Sequence, residues 1–398
     1  MSEAVNIPQL RFPEFNGAWE EKKLGEVVRY TKGFAFKSND YVDSGVRIIR
    51  VSDLGAESIK KDNKSIYLSS ENEHLYDKWK IRKNNIVITT VGSNPDLIES
   101  AVGRGIFIIN DNEGLLNQNM LKLENSTQVN NKFVHCFINS PKYIHHIKAI
   151  KRGNANQANI TVKELLDFKL SITTKPEQQK IAAFLNAVDT KIEQLSKKQE
   201  LLGEYKKGLM QQIFSQAIRF KADDGSDFPN WEEKKLGDIL DYEQPTNYIV
   251  DSTEYDNSFD MPVLTAGKSF ILGYTNETHK VFENIPVIIF DDFTTANKYV
   301  DFPFKVKSSA MKILKPKDSF VNIRLIFEFI QMLNFPIGEH KRYWISEYQD
   351  LKIPFPSFEE QTKIASFLSS IDNKIEQVGK QLDESKQFKK ALLQQMFV

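Results

Sequence analysis

Cysteine is almost absent from this chain of 398 residues, and long apolar runs are absent altogether. The lone Cys136 excludes an internal disulfide framework and is typical of proteins from a reducing compartment. No stretch approaches the roughly twenty consecutive apolar residues that a membrane-spanning helix needs, because charged residues interrupt every candidate. The N-terminal segment carries Glu3 and lacks the apolar core of a secretory signal. These absences predict a cytoplasmic protein without a membrane anchor.

Neither sign of charge is in excess, because 53 lysines and arginines balance 53 aspartates and glutamates, for a net charge of +0. A protein that binds nucleic acid by itself usually carries a basic excess that faces the phosphates. We therefore expect any DNA-binding role to depend on local patches or on partner proteins. The chain is long enough for two or three ordinary domains.

A recognisable catalytic or metal-binding constellation is also missing. None of the six histidines lies in an HExxH motif or beside paired cysteines, which disfavours zinc. Gly267-Lys268-Ser269 resembles the end of a phosphate-binding loop, but Pro262 stands where the upstream glycine is required. Asn94-Pro95 begins an amino-methyltransferase signature that fails at Asp96. We predict a binding protein with no catalytic residue, metal or cofactor in this chain.

What the chain does contain is an internal duplication. The phrase WEEKKLG occurs at Trp19–Gly25 and again at Trp231–Gly237. A longer pair of segments, Glu177–Phe214 and Glu360–Phe397, aligns without a gap, and half of the paired positions are identical. The order of opening phrase, variable stretch and repeated segment therefore occurs twice, which predicts two half-molecules in tandem.

Both repeated segments have the pattern of long helices. Apolar residues recur at alternating steps of three and four, the heptad spacing of a coiled coil. Capping-box signals precede both helices, at Thr174 with Glu177 and at Ser357 with Glu360. The predicted interface of the coiled coil comprises Ile181, Leu185, Val188, Ile192, Leu195, Leu202, Leu209 and Ile213 in the first helix, and Ile364, Leu368, Ile371, Ile375, Val378, Leu382, Leu392 and Met396 in the second.

The connectivity predicts that the two helices run antiparallel, as a spacer with one globular domain at each end and a pseudo-twofold axis. Lys206 and Lys389 occupy equivalent polar positions of the seam, which favours a role in setting the register. Two amphipathic helices packed on separate cores are the alternative. The predicted boundaries are 1–173 and 217–356 for the domains, and 174–216 and 357–398 for the helices.

Each variable stretch mixes short β-branched runs with polar loops, which is typical of a mixed α/β (α+β) domain. The expected strands are Ile86–Thr90 and Ile106–Ile109 in the first stretch, and Val287–Phe290 and Ala310–Leu314 in the second. The expected helices are Asn131–Ile150 and Arg324–Leu333. Because the frame is duplicated while the variable stretches differ, we expect one shared task with two specificities.

Polar loops follow these strands and carry side chains suited to DNA. Arginine pairs with guanine, amides pair with adenine, and lysine and hydroxyl groups bind phosphates. The candidates in the first half are Gly92, Ser93, Asn94, Asn117, Gln118, Asn119, Lys151, Arg152, Asn154, Asn156 and Gln157. Those in the second half are Lys268, Asp292, Thr294, Thr295, Asn297, Lys298, Tyr299, Lys341, Arg342 and Tyr343. For any single loop, an ordinary solvated turn is the alternative interpretation.

Nearly the whole chain resembles the specificity subunit of Type I restriction–modification enzymes. The resemblance is carried by the two WEEKKLG phrases and by the two Glu-Gln-x-Lys-Ile-Ala-x-Phe-Leu helices that begin at Glu177 and Glu360. Pro262–Lys268 and Gly273–Asn276 also resemble a common subtype of target-recognition domain.

The resemblance implies two target-recognition domains, each of which reads one half of a bipartite site in double-stranded DNA. The helices would set the gap and dock two methyltransferase subunits, which methylate adenine with S-adenosylmethionine. Motor–nuclease subunits would add ATP-dependent cleavage with Mg2+. Partners would thus supply the catalytic groups and much of the phosphate binding.

Two other functions remain as alternatives. The first is a coiled-coil scaffold that carries two ligand- or protein-binding domains without recognising DNA. The second is a self-sufficient nuclease, which the missing catalytic constellation disfavours.

Overall fold

The computed structural model describes residues 6–61, 64–97, 101–124, 126, 129–154, 157–266, 269–336 and 342–397. The chain divides into two compact units. Unit 1 comprises residues 1–194 together with 381–398, and unit 2 comprises residues 195–380. In the described part of the chain, no helix is both long and apolar enough to cross a membrane.

In its described residues, unit 1 is built mainly from short strands and four short helices. Its strands are β1 (Glu20–Lys23), β2 (Arg29–Lys32), β3 (Tyr41–Val42), β4 (Val46–Ile49), β5 (Ile66–Leu68), β6 (Lys80–Ile81), β7 (Ile86–Thr89), β8 (Val91–Gly92), β9 (Gly105–Phe107), β10 (Gly114–Leu116), β11 (Met120–Glu124), β12 (Arg152–Gly153), β13 (Ala158–Asn159) and β14 (Lys169–Ile172). Its short helices are α1 (Leu24–Val27), α2 (Asn131–Phe137), α3 (Pro141–Ile150) and α4 (Val162–Leu166), with 3-10 helices at Ser38–Asp40, Val51–Asp53 and Ser70–Trp79. The first long helix, α5 (Lys175–Phe214), begins in this unit.

Unit 2 repeats the plan, with fewer strands in the part of it that the structure describes. They are β15 (Glu232–Lys235), β16 (Leu240–Glu243), β17 (Met261–Leu264), β18 (Ile271–Thr275), β19 (Val287–Asp291), β20 (Asn297–Val300), β21 (Lys305–Val306), β22 (Met311–Pro316) and β23 (Lys352–Phe355). The helices are α6 (Leu236–Ile239), α7 (Ile323–Met332), α8 (Tyr343–Ser346) and the second long helix, α9 (Phe358–Met396), with 3-10 helices at Pro245–Tyr248 and Tyr348–Asp350.

An antiparallel four-stranded sheet lies at the centre of each unit, in the order β2-β11-β7-β9 in unit 1 and β16-β22-β19-β20 in unit 2. The β-branched runs of β7 and β19 are buried along their whole length, because such side chains fill a strand that is covered on both faces. A second sheet in each unit contains a parallel pair, β4 with β10 and β17 with β21. The predicted mixed α/β fold is confirmed in both halves.

The predicted helix at Asn131–Ile150 is interrupted, which the periodicity did not indicate. Helix α2 ends at Phe137, and Asn139 has a left-handed backbone with φ of 70°. Ser140 then accepts a hydrogen bond from the backbone N–H of Tyr143 and starts α3, with Pro141 in its first turn. Proline suits the first turn of a helix but breaks its interior, so the Ser-Pro pair begins a new helix.

The repeated phrase WEEKKLG forms the same structure twice. In unit 1, β1 pairs antiparallel with β14, Lys169 donates to Glu21 at 2.7 Å, and Lys23 donates to Asp167 at 2.8 Å. In unit 2, β15 pairs with β23, and the corresponding pairs are Lys352 with Glu233 and Lys235 with Asp350. The four charged residues of WEEKKLG thus lie in a two-stranded ribbon. This ribbon joins the start of each domain to the strand that precedes its long helix.

Segments of the two long helices pack together inside each unit and run antiparallel there. In unit 1, Ile181 and Leu185 share a core with Leu392 and Met396. In unit 2, Met210 and Ile213 of α5 share a core with Ile364, Ala365 and Leu368 of α9. Every residue of the predicted interface is buried or half-buried. Met210, which the heptad pattern omits, is more buried than the adjacent Leu209, because it packs into the core of unit 2.

Each long helix is fixed to its domain by the Glu-Gln pair at its start. Glu177 is fully buried and receives two hydrogen bonds from Arg11, at 2.7 and 2.8 Å. Glu360 receives the same pair from Arg219, at 3.0 and 2.9 Å. The sequence predicted these glutamates as capping residues. The expected cap at Ser357 is present, since Ser357 Oγ accepts a hydrogen bond from the backbone N–H of Glu360. Both buried carboxylates instead serve chiefly to bind a half-buried arginine.

Candidate nucleic-acid interface

Three polar loops of unit 1 meet at the end of the central strand β7. The backbone N–H of Thr90 donates to the carbonyl of Asn119 at 2.8 Å, and the carbonyl of Thr90 accepts the N–H of Ile160 at 3.0 Å. Two residues further on, Gly92 pairs with Ala158 in the small sheet of β12, β13 and β8. The structure therefore brings together the candidate residues at 92–94, at 117–119 and in the described part of 151–157, although they are far apart in the sequence.

Side-chain hydrogen bonds shape these loops and leave amides at the surface. Asn154 Oδ1 accepts the N–H of Gln157 at 2.9 Å, and Asn117 Oδ1 accepts the N–H of Gln118 at 2.8 Å. Gln118, Asn119, Asn154 and Gln157 are exposed, whereas Asn117 is half-buried. A local turn thus presents several amide groups, which can pair with a base edge. Gly92, Ser93, Asn94 and Lys151 are half-buried beside them.

Gly153 is required at the end of β12, where it pairs with Ala158. Its φ is +93°, a conformation that residues with a side chain rarely adopt. A Cβ at this position would also come within 2.3 Å of the carbonyl oxygen of Gln157. The glycine therefore allows the tight return that places Arg152 opposite Asn159 in the pairing of β12 with β13.

Arg152 is exposed but has a partner within the domain. Its two Nη atoms each donate to Glu164 at 2.7 Å, and Thr161 Oγ donates to the same carboxylate at 2.5 Å. The hydrogen bonds from Arg152, and then that from Thr161, lower the pKa of Glu164 to about 2. Sequence reasoning missed Glu164, because nothing in the local pattern links it to an arginine twelve residues earlier. A base that binds Arg152 must therefore compete with this carboxylate.

Unit 2 has the same junction at the end of β19, built from different side chains. The carbonyl of Asp292 accepts the N–H of Tyr343 at 2.9 Å, as that of Thr90 accepts Ile160. The Asp292 carboxylate also accepts the N–H of Trp344 at 2.9 Å and lies 3.4 Å from Lys312 Nζ. Asp292 and Tyr343 are both buried. Their side chains hold α8 against the sheet in this structure, and Arg342 beside them is exposed.

The Thr294–Lys298 turn follows this junction. Asp291 Oδ1 accepts the N–H groups of Phe293 and Thr294, and Thr295 has a left-handed φ of 57°. Thr294 and Lys298 are exposed, while Thr295 and Asn297 are half-buried. Phe293 is an exposed aromatic ring in the same turn, and it was not among the residues predicted from the sequence. The turn thus presents hydroxyl, ammonium and aromatic groups together, and all three are used in contacts with nucleic acids.

Tyr299 does not join these loops. Its ring lies 4.7 Å from the guanidinium carbon of Arg324 on α7, at the level of Ile288 in the central sheet. Among the other candidates, Asn156, Lys268 and Lys341 lie outside the described residues.

Among the described residues, one group of three potential metal ligands comes together, consisting of Asp251, Glu277 and His279. Lysines already pair with both carboxylates, since Lys280 Nζ lies 2.8 Å from Asp251 and Lys305 Nζ lies 2.7 Å from Glu277. The lysines balance the charge that would otherwise attract a cation. The group is therefore part of an ion-pair network with these two lysines.

Comparison with known proteins gives one consistent family. A family model described as the Type I restriction modification DNA specificity domain matches residues 16–202 and 229–385. The Type I restriction enzyme EcoR124I/EcoR124II specificity subunit of Escherichia coli is 50% identical over 141 residues, which span 34% of this chain and 35% of that protein. The putative type I restriction enzyme MjaX specificity subunit of Methanocaldococcus jannaschii is 22% identical over 432 residues, which span 98% of this chain and 95% of that protein.

A solved structure has the same fold. The crystal structure of the Type-I restriction-modification system S subunit from M. genitalium matches with a TM-score of 0.66 at 18% identity, covering 98% of this chain and 99% of that one. At this identity the likeness concerns the arrangement of strands and helices rather than the side chains of the loops.

Proposed function

Because this chain belongs to the Type I restriction–modification DNA specificity family, we propose that each domain reads one half of a bipartite site in double-stranded DNA. The chain is a DNA specificity subunit with two target-recognition domains, and such subunits are non-catalytic. The observation that carries the proposal is the duplicated loop junction. Thr90 with Ile160 and Asp292 with Tyr343 make the same backbone contact, while the exposed side chains around each contact differ. One frame with two sets of surface groups supports two different half-sites.

The exposed residues of these loops are the proposed base and phosphate contacts. In the first domain they include Gln118, Asn119, Arg152, Asn154 and Gln157, and in the second Thr294, Lys298 and Arg342. The other candidates remain proposals as well. For Asp292 and Tyr343 we expect an indirect role, because burial directs their side chains into the domain.

The long helices are proposed to set the gap between half-sites and to dock two methyltransferase subunits. In this assembly the partners hold S-adenosylmethionine and methylate adenine, and restriction subunits use ATP and Mg2+ for cleavage. The proposed recognition domains are 1–173 and 217–356, with helices at 174–216 and 357–398. The balanced charge of the chain supports this division of labour, because partners can supply much of the contact with phosphates.

The proposal is tested by sequencing the methylome of cells that express this chain with its methyltransferase subunit. We expect one two-part motif, and replacement of residues 217–354 by the second domain of another family member should change one half of it only. A motif altered in both halves would contradict the assignment of one half-site to each domain. Methylation that did not depend on this chain would contradict the function itself.

A salt-dependent gel shift, with and without the methyltransferase subunit, separates this function from a scaffold that does not bind DNA. We expect binding that weakens as salt increases, because each phosphate contact releases counterions.

A further inference from the structure

A half-buried group of four side chains joins the sheet, a short helix and both long helices in unit 1. Lys132, in the first turn of α2, lies 4.8 Å from the ring centre of Phe107 on the edge strand β9. Its Nζ atom lies 2.6 Å from Asp189 Oδ2 on α5. Lys389 Nζ on α9 lies 2.7 Å from Asp189 Oδ1. We call Phe107, Lys132, Asp189 and Lys389 the first ion cluster.

The same group occurs in unit 2 as the second ion cluster, which consists of Tyr299, Arg324, Asp372 and Lys206. Arg324, in the first turn of α7, lies 4.7 Å from the ring centre of Tyr299 on the edge strand β20. It forms an ion pair with Asp372 of α9, and Lys206 Nζ on α5 lies 2.8 Å from the same carboxylate.

The four positions correspond by structure as well as by residue type. Phe107 pairs with Ile86 on the central strand, and Tyr299 pairs with the equivalent Ile288. Lys132 and Arg324 each follow a capping asparagine by two positions. The backbone N–H of each asparagine, Asn130 and Asn322, donates at 2.9 Å to the glutamine that begins the neighbouring long helix, Gln178 or Gln361. The residue types are similar rather than identical, since Phe107 and Lys132 in unit 1 correspond to Tyr299 and Arg324 in unit 2. The arrangement of the side chains is nevertheless the same.

Such a cluster contributes more to geometry than to stability. Ion pairs that leave water gain attraction but lose hydration, so apolar residues of similar size often stabilise a fold as well or better. A carboxylate that must meet two cations on two different elements, however, is satisfied by one arrangement of those elements. In both units the cations belong to the recognition domain and to the other long helix, and the aspartate belongs to the repeated segment.

We propose that Asp189 and Asp372 are positioning residues, which fix the orientation of each recognition domain on the helix pair and thereby the gap at which its half-site is accepted. This inference rests on the proposed function. Neither aspartate contacts DNA in it, so the base sequence of the half-sites is independent of both.

The two clusters differ in one buried charge, since Glu57, which lies 3.9 Å from Lys389 Nζ, is 77% exposed. This difference gives the inference a second consequence. Glu328 lies one turn after Arg324, and its carboxylate lies 2.8 Å from Lys206 Nζ. The equivalent position after Lys132 is Cys136, which is neutral. Loss of Lys389 would leave Lys132 and Asp189 as a balanced pair, whereas loss of Lys206 would leave two half-buried or buried carboxylates with one arginine. Lys206→Met should therefore have a larger effect than Lys389→Met.

The experiment expresses the full chain with its methyltransferase subunit and compares Asp189→Asn and Asp372→Asn with Asp383→Asn, an exposed aspartate of α9. We expect modification at the native gap to fall about 10- to 100-fold in the first two variants, because a misplacement of about 1 Å can cost that much. Sites with a gap one base pair longer or shorter should gain modification, with unchanged half-site sequences. Lys132→Arg and Arg324→Lys, each the residue that the other unit uses, should retain the native gap.

Several results would overturn the inference. Folded Asn variants with the wild-type level of modification and a single gap would do so, as would altered half-site sequences. If either Asn variant does not fold, the two Met variants decide, since equal behaviour of Lys206→Met and Lys389→Met contradicts the charge argument. Hydrogen exchange in α2 and α7 provides a readout without DNA: unchanged protection in Asp189→Asn and Asp372→Asn overturns the inference. Absence of any two-part motif in the wild type, with increased exchange in the variants, would instead contradict the proposed function.

Discussion

At the scale of single residues, His135 in unit 1 lies in an environment that disfavours its charged form. Its ring lies 5.7 Å from that of Phe107, next to the first ion cluster. Burial, followed by the charges of Lys132 and Lys389, lowers the pKa of His135 to about 3. The folded state therefore holds this histidine neutral at a pH where an unfolded chain, with an ordinary pKa of about 6.5, begins to bind a proton.

This shift predicts that acid weakens unit 1 before its carboxylates titrate. The stabilising contribution is fully present above about pH 6.5 and decreases as the pH falls towards the folded pKa, by at most about 1.4 kcal/mol per pH unit. The partly exposed ring makes this an upper limit. We expect the melting temperature to fall between about pH 7.5 and about pH 5.5, and to fall less in His135→Gln.

The exposed His145 on α3 supplies the matched control for this experiment. His145→Gln should retain the pH dependence of the wild type. Identical pH profiles for His135→Gln and the wild type would refute a role for His135.

Loop side chains give a second prediction at the residue scale. Arg152→Ala and Gln157→Ala should weaken or relax recognition of one half-site, and Arg342→Ala that of the other, since a lost base contact costs about 1–3 kcal/mol. The three variants serve as controls for one another, because each should leave the opposite half-site unaffected. Methylome sequencing measures both halves at once; unchanged motifs in all three variants would mean that these loops are solvated turns.

At the scale of elements, local patterns predicted the strands and the long helices well. The buried runs at Ile86–Thr90 and Val287–Phe290 appear as β7 and β19, because β-branched sequences have few alternatives in a core. The heptad spacing likewise marks residues that are buried or half-buried in α5 and α9. The break between α2 and α3 follows from Pro141 itself, whereas the spacing of apolar residues did not indicate it.

Contacts between distant residues could not be predicted in the same way. Arg11 and Glu177 are 166 positions apart, and Lys206 and Asp372 are equally distant. Nothing in a single sequence pairs such charges, because each alone is compatible with a solvated surface. For the loops, the polar composition indicated which residues could contact DNA. Only the fold, however, distinguishes the exposed Arg342 from the buried Tyr343.

The long helices carry a prediction about spacing. In unit 2 the side-chain amide of Gln199 lies against Gly379, where a Cβ would come within 2.8 Å of Nε2. A seven-residue insertion after Gln199, matched by one before Gly379, keeps the heptads in phase and lengthens the helices by about 10.5 Å. We expect the gap to grow by roughly three base pairs, at about 3.4 Å per base pair, with unchanged half-sites.

The level of modification in this variant should also fall, since three base pairs rotate one half-site by nearly a third of a turn of about 10 base pairs. A four-residue insertion also lengthens the helix, but it disturbs the heptad phase. It is therefore the control that separates the effect of length from the effect of register. Methylation confined to the original gap would show that the helices do not set the spacing.

At the scale of the whole molecule, the core of unit 1 depends on residues that are remote in the sequence. Leu392 and Met396 are almost fully buried against the first domain, and Phe397 contacts Trp19, Phe133 and Phe137. Leu392→Ala should therefore destabilise unit 1 by about 2–5 kcal/mol. Phe388→Ala, in the same segment but 53% exposed, should change stability much less. Hydrogen exchange measures the two units separately; equal losses of protection in both units would contradict this assignment.

The discontinuous unit 1 also imposes an order on synthesis. Residues 195–380 form one uninterrupted stretch of chain, so unit 2 has all of its parts as soon as Lys380 has left the ribosome. Unit 1 is translated first, yet it lacks Leu392 and Met396 until the segment 381–398 has also emerged. The half-molecule that is made first is thus the one that matures last, and the apolar side chains that Leu392 and Met396 cover lack these partners during the whole translation of the other.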